Sequence, residues 1–401
     1  MKGLFTKIAA ALTAVIAAAG VFAFGGCTAK GGGIEIALIC AAAGSNDNGY
    51  NQTAVNGLKS MADKYGYKTK VVEIGSDLTA GKAIEQMAAA GAKLIFSLEY
   101  DFDALIKGVG GQEPLAKRYP GTTFVVFNAD PNRNGDGSVI HKNVISVLFN
   151  VHEASYLAGY LSVLVNENAA ALFDSATHSL NLSGNRSIGF IGGTASDGIY
   201  VFSAGYMSGI SRAVADLELG AGVRYDYYEN NSAGFVDMQA GQTFAKGVYD
   251  KGGNIVFACA GNVGAGVTTK ASDSKRFGIE VDANKDGDRP GYVLTSVLKN
   301  TDVPVKGITE AYRDGTLGRF ANLAYYDLAS GATGITDLAA AGAAVKQSGL
   351  AKWAQIKDKV ADIAAKIADG TIKVYDCQRN GYAGFEARQA ELIPNVNRIS
   401  K

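Results

Sequence analysis

The chain has 401 residues, 47% of them hydrophobic, with 38 Lys and Arg balancing 38 Asp and Glu. That length supports two α/β lobes of ordinary size around a large buried core. A formal net charge of zero argues against nucleic acid or an anionic membrane surface as the main partner, because both call for a basic excess. Four cysteines in so long a chain make no disulfide framework. The histidines, His141, His152 and His178, are scattered, with no zinc spacing and no Ser/His/Asp arrangement.

Taken in order, the chain begins with Lys2 and Lys7, an uncharged apolar run from Ile8 to Phe24, and Gly25-Gly26 before Cys27. These are the three parts of a secretory signal peptide. A Cys after two small residues resembles a bacterial lipobox. Residues 1–26 are therefore expected to be removed and Cys27 lipidated, with 27–33 as a Gly-rich tether. An ordinary cleaved signal with an incidental Cys is the alternative, and a retained membrane helix is disfavoured by the short run. Cys40 and Cys259 lie in apolar strand-like runs as small hydrophobes. One disulfide among Cys40, Cys259 and Cys377 stays open.

Strand patterns at 34–40, 68–74, 93–98 and 122–128 alternate with helical patterns at 51–66 and 79–92 and a helix-like segment ending in KRYPG. The rhythm then restarts. Helices are predicted at 152–166, 201–217 and 237–252, and strands at 186–193, 223–229, 254–261 and 276–282. Strands apolar on both faces, alternating with helices, mean parallel sheets covered by helices. Segments 293–300, 303–315 and 320–328 read as chain crossing back between lobes, and 350–370 as an amphipathic surface helix. The expected division is lobe 1 at 34–150 with about 290–318 returning to it, lobe 2 at 151–285 with about 319–376, and a tail at 377–401. Two doubly wound lobes enclose a cleft at the carboxyl ends of their strands, where ligands bind.

The first such loop, AAAGSNDNGYNQTAVNGL (41–58), places Tyr50-Asn51 where a helix begins facing the cleft. This string resembles the signature of the BMP family, the PnrA-like lipoprotein ligand-binding subunits of ABC transporters. Further matching segments follow in order: NVISVLFNVHEASYLAGYL (143–161), IGFIGG (188–193), AGYMSGI (204–210), FACAGNVGAGV (257–267), FGIEVD (277–282) and VLTSVLK (293–299). The resemblance implies a type I periplasmic-binding-protein fold, α/β, with two doubly wound parallel-sheet lobes, a hinge and a central cleft. It implies no enzyme and no cofactor or metal. It implies instead a monomeric receptor, lipid-anchored on the extracytoplasmic face of a bacterial cell membrane, that hands a purine nucleoside to a membrane permease.

The resemblance also assigns positions. Tyr50 stands where the family stacks an aromatic on the base, and Asn51 at the next, ligand-bonding position. Phe235 matches the second aromatic, with Phe202 as its competitor. Asp282 and Lys299 stand at ribose-bonding positions, and Gly261 and Gly264 would let backbone approach the sugar. The family's Asp residues are replaced by Ala41, Asn128 and Asn262; of these, Asn128 stands at the base-reading position. A carboxylate only accepts, whereas an amide donates and accepts. Glu99, Asp101 or Asp130 are the neighbouring acceptors that would compensate.

Plainer readings stand beside these. An aromatic at a helix start usually packs in a core, and a lysine is usually solvated. The string DANKDGD (282–288) resembles the opening of an EF-hand loop, but Val293 stands where the bidentate Glu is required. Riboflavin, another flat heterocycle or a sugar are alternative ligands. An extracytoplasmic nucleoside hydrolase is an alternative from another class, although the cleft loops are Asn-rich and show no acid/base pair. A surface adhesin or signalling module is a further one.

Overall fold

The computed structural model describes residues 33–181 and 186–399; the expected signal peptide and Cys27 lie outside them. The strands are β1 Ile36–Ile39, β2 Thr69–Val72, β3 Leu94–Ser97, β4 Thr123–Phe127, β5 Val144–Phe149, β6 Ser187–Gly192, β7 Tyr225–Asn230, β8 Ile255–Cys259, β9 Phe277–Asp282, β10 Val293–Lys299, β11 Leu323–Tyr326, β12 Thr333–Ile335 and β13 Val396–Ile399. They form two sheets, β11-β5-β4-β3-β1-β2 and β12-β10-β9-β8-β6-β7-β13. Every pairing is parallel except β10 with β12.

The central strands are buried on both faces, as their unbroken apolar runs require: β1, β3, β5, β6 and β8 have no exposed residue. Burial of this much aliphatic and aromatic surface is the main stabilising term. Helices Tyr50–Tyr65 and Ala80–Ala89 cover the first sheet; helices Asp197–Asp216, Met238–Asp250 and Asn262–Asp273 cover the second. Among the described residues no helix is long and apolar enough to cross a membrane.

The exchange between sheets differs from the sequence expectation. Segment 293–299 is not returning chain but β10, a strand of the second sheet. The chain returns to lobe 1 as helix Asp302–Arg313 and β11, then re-enters lobe 2 at β12. The Asp302–Arg313 helix lies so close to the Tyr50–Tyr65 helix that a Cβ at Gly57 would sit 2.8 Å from Asp302 Cα. The expected tail is structured as well. Short helices at Cys377–Asn380, Tyr382–Ala387 and Gln389–Leu392 lead to β13, which extends the second sheet beside β7. Cys40, Cys259 and Cys377 are free, buried thiols.

Candidate functional site

In the first sheet the order reverses between β1 and β3, the point where open α/β sheets hold ligands. The loop after β1 is built by Asp47. Its carboxylate accepts the backbone N–H groups of Gly49 (3.0 Å), Asn51 (2.9 Å) and Gln52 (3.0 Å). It thereby satisfies the free amides of the helix start and complements the helix dipole. Tyr50, the first helical residue, is 8% exposed. Its hydroxyl donates to the Leu98 carbonyl at 3.1 Å and accepts from Asn128 Nδ2 at 2.6 Å. Burial, followed by Tyr100 and Asp282, pushes the phenol well above its usual range, so it stays protonated.

Asn128 follows β4 with φ +65°, and Asp282 ends β9 with φ +73°. Both strand ends thus enter the left-handed region, which Asn and Asp tolerate better than most residues. Asn128 Oδ1 is buried without a partner. Burial raises the Asp282 carboxyl, with Lys299 and Lys285 opposing the shift. Lys299, at the end of β10, is also buried, and desolvation lowers its ammonium while Asp282 supports it. Its Nζ lies 5.1 Å from the Tyr50 ring centroid, 5.2 Å from Phe149 and 5.8 Å from Phe202. The two lobes meet here: a Cβ at Gly49 would lie 3.5 Å from Asp282 Cβ.

A second group lies on lobe 2. Phe235, 44% exposed, packs its ring over Gly193, where a Cβ would come within 2.2 Å of it. The Phe235 carbonyl accepts the Asn262 N–H at 2.9 Å. Gly261, at φ +53°, makes the turn into the helix, and a Cβ there would crowd the same carbonyl at 2.9 Å. Phe202, only 2% exposed, is packed into the floor beside Lys299.

Two expected ligand residues are engaged elsewhere. The Asn51 amide is fully buried and spent on Ala41, accepting its N–H at 2.8 Å and donating to its carbonyl at 3.4 Å. Gly264 faces the lobe 2 interior, where a Cβ would meet the Glu280 carboxylate at 2.6 Å. The expected substitute acceptors are committed too. Glu99 takes the N–H groups of Ala42 and Tyr100, Asp101 takes that of Asp103, and Asp130 holds Arg133 and Ser146. In the 282–288 loop, Asn284 accepts the Asp286 N–H and Asp286 accepts the hydroxyl of Ser296 in β10, so these oxygens already serve the protein's own groups.

Sequence reasoning missed three residues. Asp47 sits in a run of capping residues that hinted at its role. Phe149 precedes the predicted helix at 152–166, in a β5 to which the sequence reading assigns no strand. Tyr100, 63% exposed yet with its hydroxyl 3.4 Å from Asn128 Nδ2, carried no signal beyond its place after a strand.

Two parallel-sheet lobes that exchange chain several times, with polar and aromatic groups converging from strand ends on the cleft between them, define a type I periplasmic-binding-protein architecture. A solute-binding protein from Aeropyrum pernix K1 shares the fold, with TM-score 0.68 and 19% identity over 90% of this chain and 99% of that one. The family model for the ABC transporter substrate-binding protein PnrA-like group matches residues 34–375, and the chain belongs to that family. It is 29% identical to the ABC transporter nucleoside-binding protein BmpA of Lactococcus lactis, over 85% of this chain and 89% of that protein. It is 24% identical to basic membrane protein A1 of Borrelia garinii, over 72% of this chain and 76% of that protein.

Proposed function

We propose that this substrate-binding protein is the extracytoplasmic receptor of an ABC importer, tethered through a lipid on Cys27, and that it binds a purine nucleoside. The base stacks on Tyr50, with Phe235 as the second aromatic; Asp282 and Lys299 bond the ribose. Asn128 meets the base edge, and the backbone at Gly261 and Asn262 borders the sugar. The carrying observation is the convergence of an aromatic and an amide from lobe 1 with an acid–lysine pair from lobe 2, Lys299 Nζ being 5.1 Å from the Tyr50 ring. The nucleoside-binding relative in Lactococcus supports the ligand class.

Such a site needs no bond-making chemistry. It needs a ligand that binds the closed form better than the open one, which a site shared by both lobes supplies. The protein then acts as a monomer that presents its closed form to a permease. The test is a thermal-shift screen of protein refolded to strip carried-over ligand, against nucleosides, free bases, riboflavin and simple sugars. Ligand at a hundred times its dissociation constant stabilises by about 2.7 kcal/mol. A shift with purine nucleosides is expected; a shift only with another compound overturns the ligand, and turnover of inosine overturns the receptor role.

A further inference from the structure

We infer that the hydroxyls of Tyr50 and Tyr100 lock the Asn128 side chain in one amide orientation, so that it offers the cleft an acceptor only and selects purine nucleosides whose base presents an N–H donor. The inference rests on the nucleoside reading above and deepens it. It follows from counting protons. A tyrosine hydroxyl has one proton to give, and the Leu98 carbonyl takes that of Tyr50 at 3.1 Å. Towards Asn128, at 2.6 Å, the same hydroxyl can therefore only accept. Turning the amide over would set Oδ1 against an oxygen whose proton is already committed.

The second Nδ2 proton has the Tyr100 hydroxyl at 3.4 Å. Both donors of the amide are thus engaged on tyrosines, while Oδ1 is buried and unpaired. A buried acceptor left without a partner is costly, and pairing it recovers that cost. The left-handed backbone at Asn128 and the burial that keeps Tyr50 protonated both hold the arrangement in place. Leu98 carbonyl, Tyr50 hydroxyl and Asn128 amide form a chain of consistent polarity. It reproduces with an amide the acceptor that a carboxylate would present, and Glu99, Asp101 and Asp130 are not needed for it. Tyr50 and Tyr100 act here as positioning residues.

The test is calorimetric titration of the purified protein with inosine, whose base carries an N–H, and with purine riboside, whose base carries none. Wild type is expected to bind inosine about tenfold tighter or more, as one buried hydrogen bond implies. In Tyr50→Phe/Tyr100→Phe the rings remain but the lock is gone, so the inosine preference should shrink several-fold. Tyr100→Phe alone, which leaves the Leu98 bond intact, should lower it by less and covers the case in which the double variant fails to fold. Equal wild-type affinities, or a preference unchanged in the variants, overturns the inference while leaving the nucleoside reading standing. Absence of binding by either nucleoside overturns both. A readout without ligand is the exchange of the Asn128 side-chain N–H protons, which should be slow in wild type and faster in Tyr50→Phe; equal rates overturn the lock.

Discussion

His152 is a buried histidine beside an aspartate and an arginine. It is buried at the start of the helix Val151–Glu167, its Nδ1 has no hydrogen-bond partner, and the Asp376 carboxylate is 3.9 Å away. Arg379 Nε lies 3.2 Å from the same carboxylate. Burial is the largest influence and pulls the imidazole down from 6.5 to about 4, with Asp376 opposing and Arg379 reinforcing it. The unfolded chain then binds a proton that the folded chain refuses between those values, so stability falls as pH drops from about 6.5 towards 4. Wild type should lose on the order of 2 kcal/mol between pH 7 and pH 5 from this group. Denaturant titrations at the two pH values check it: His152→Gln should show a smaller pH dependence, and an equal one would contradict the assignment. At this scale the sequence was partly legible. Tyr50, Asn128, Asp282 and Lys299 lie together in the structure, at the start of one helix and the carboxyl ends of three strands. Asn51 and Gly264 were not legible, because a side chain's direction depends on what the neighbouring backbone needs. Here the Ala41 amide claims one and the Glu280 carboxylate crowds the other.

Among elements, the helices Val151–Glu167 and Asp197–Asp216 pack backbone against backbone. A Cβ at Gly159 would fall 2.1 Å from the Tyr206 carbonyl, one at Gly205 2.3 Å from that of His152, and one at Gly209 2.0 Å from that of Tyr156. Glycine on both helices lets the backbones approach to where any side chain would collide. Gly209→Ala should therefore destabilise by about 1–3 kcal/mol through overpacking, although alanine is the better helix former. Thermal unfolding checks it, and an unchanged or raised melting temperature would contradict the close approach. Helix and strand periodicity located most elements within a few residues. β5 escaped because its apolar run continues directly into a helix that is itself buried nearly all round, so no change of period marks the boundary. β12 and β13 escaped because strands of three and four residues owe their pairing to β10 and β7 rather than to their own pattern.

For the whole molecule, the two-lobe plan was readable from the repeated strand–helix rhythm, whereas the points of exchange were not. Assigning β10 to a lobe requires knowing that it pairs with β9, a long-range fact that no local pattern carries. That assignment places Lys299 on lobe 2, with its Nζ 5.1 Å from the ring centroid of Tyr50 in lobe 1. The C-terminal segment adds a tie beyond the family's matched span: Arg379 lies 3.6 Å over the ring of Tyr325 in β11, while Arg398 pairs with Glu229 at 2.9 Å beside β7. One short segment thus touches both sheets. Whether one ligand site is shared by the lobes is decided by calorimetric titration with inosine of wild type, Tyr50→Leu and Lys299→Met. One site per chain is expected, with each substitution weakening binding about tenfold or more, through a lost base stack at Tyr50 and a lost buried hydrogen bond at Lys299. Binding that ignores either substitution, or no binding of inosine by the wild type, would contradict it.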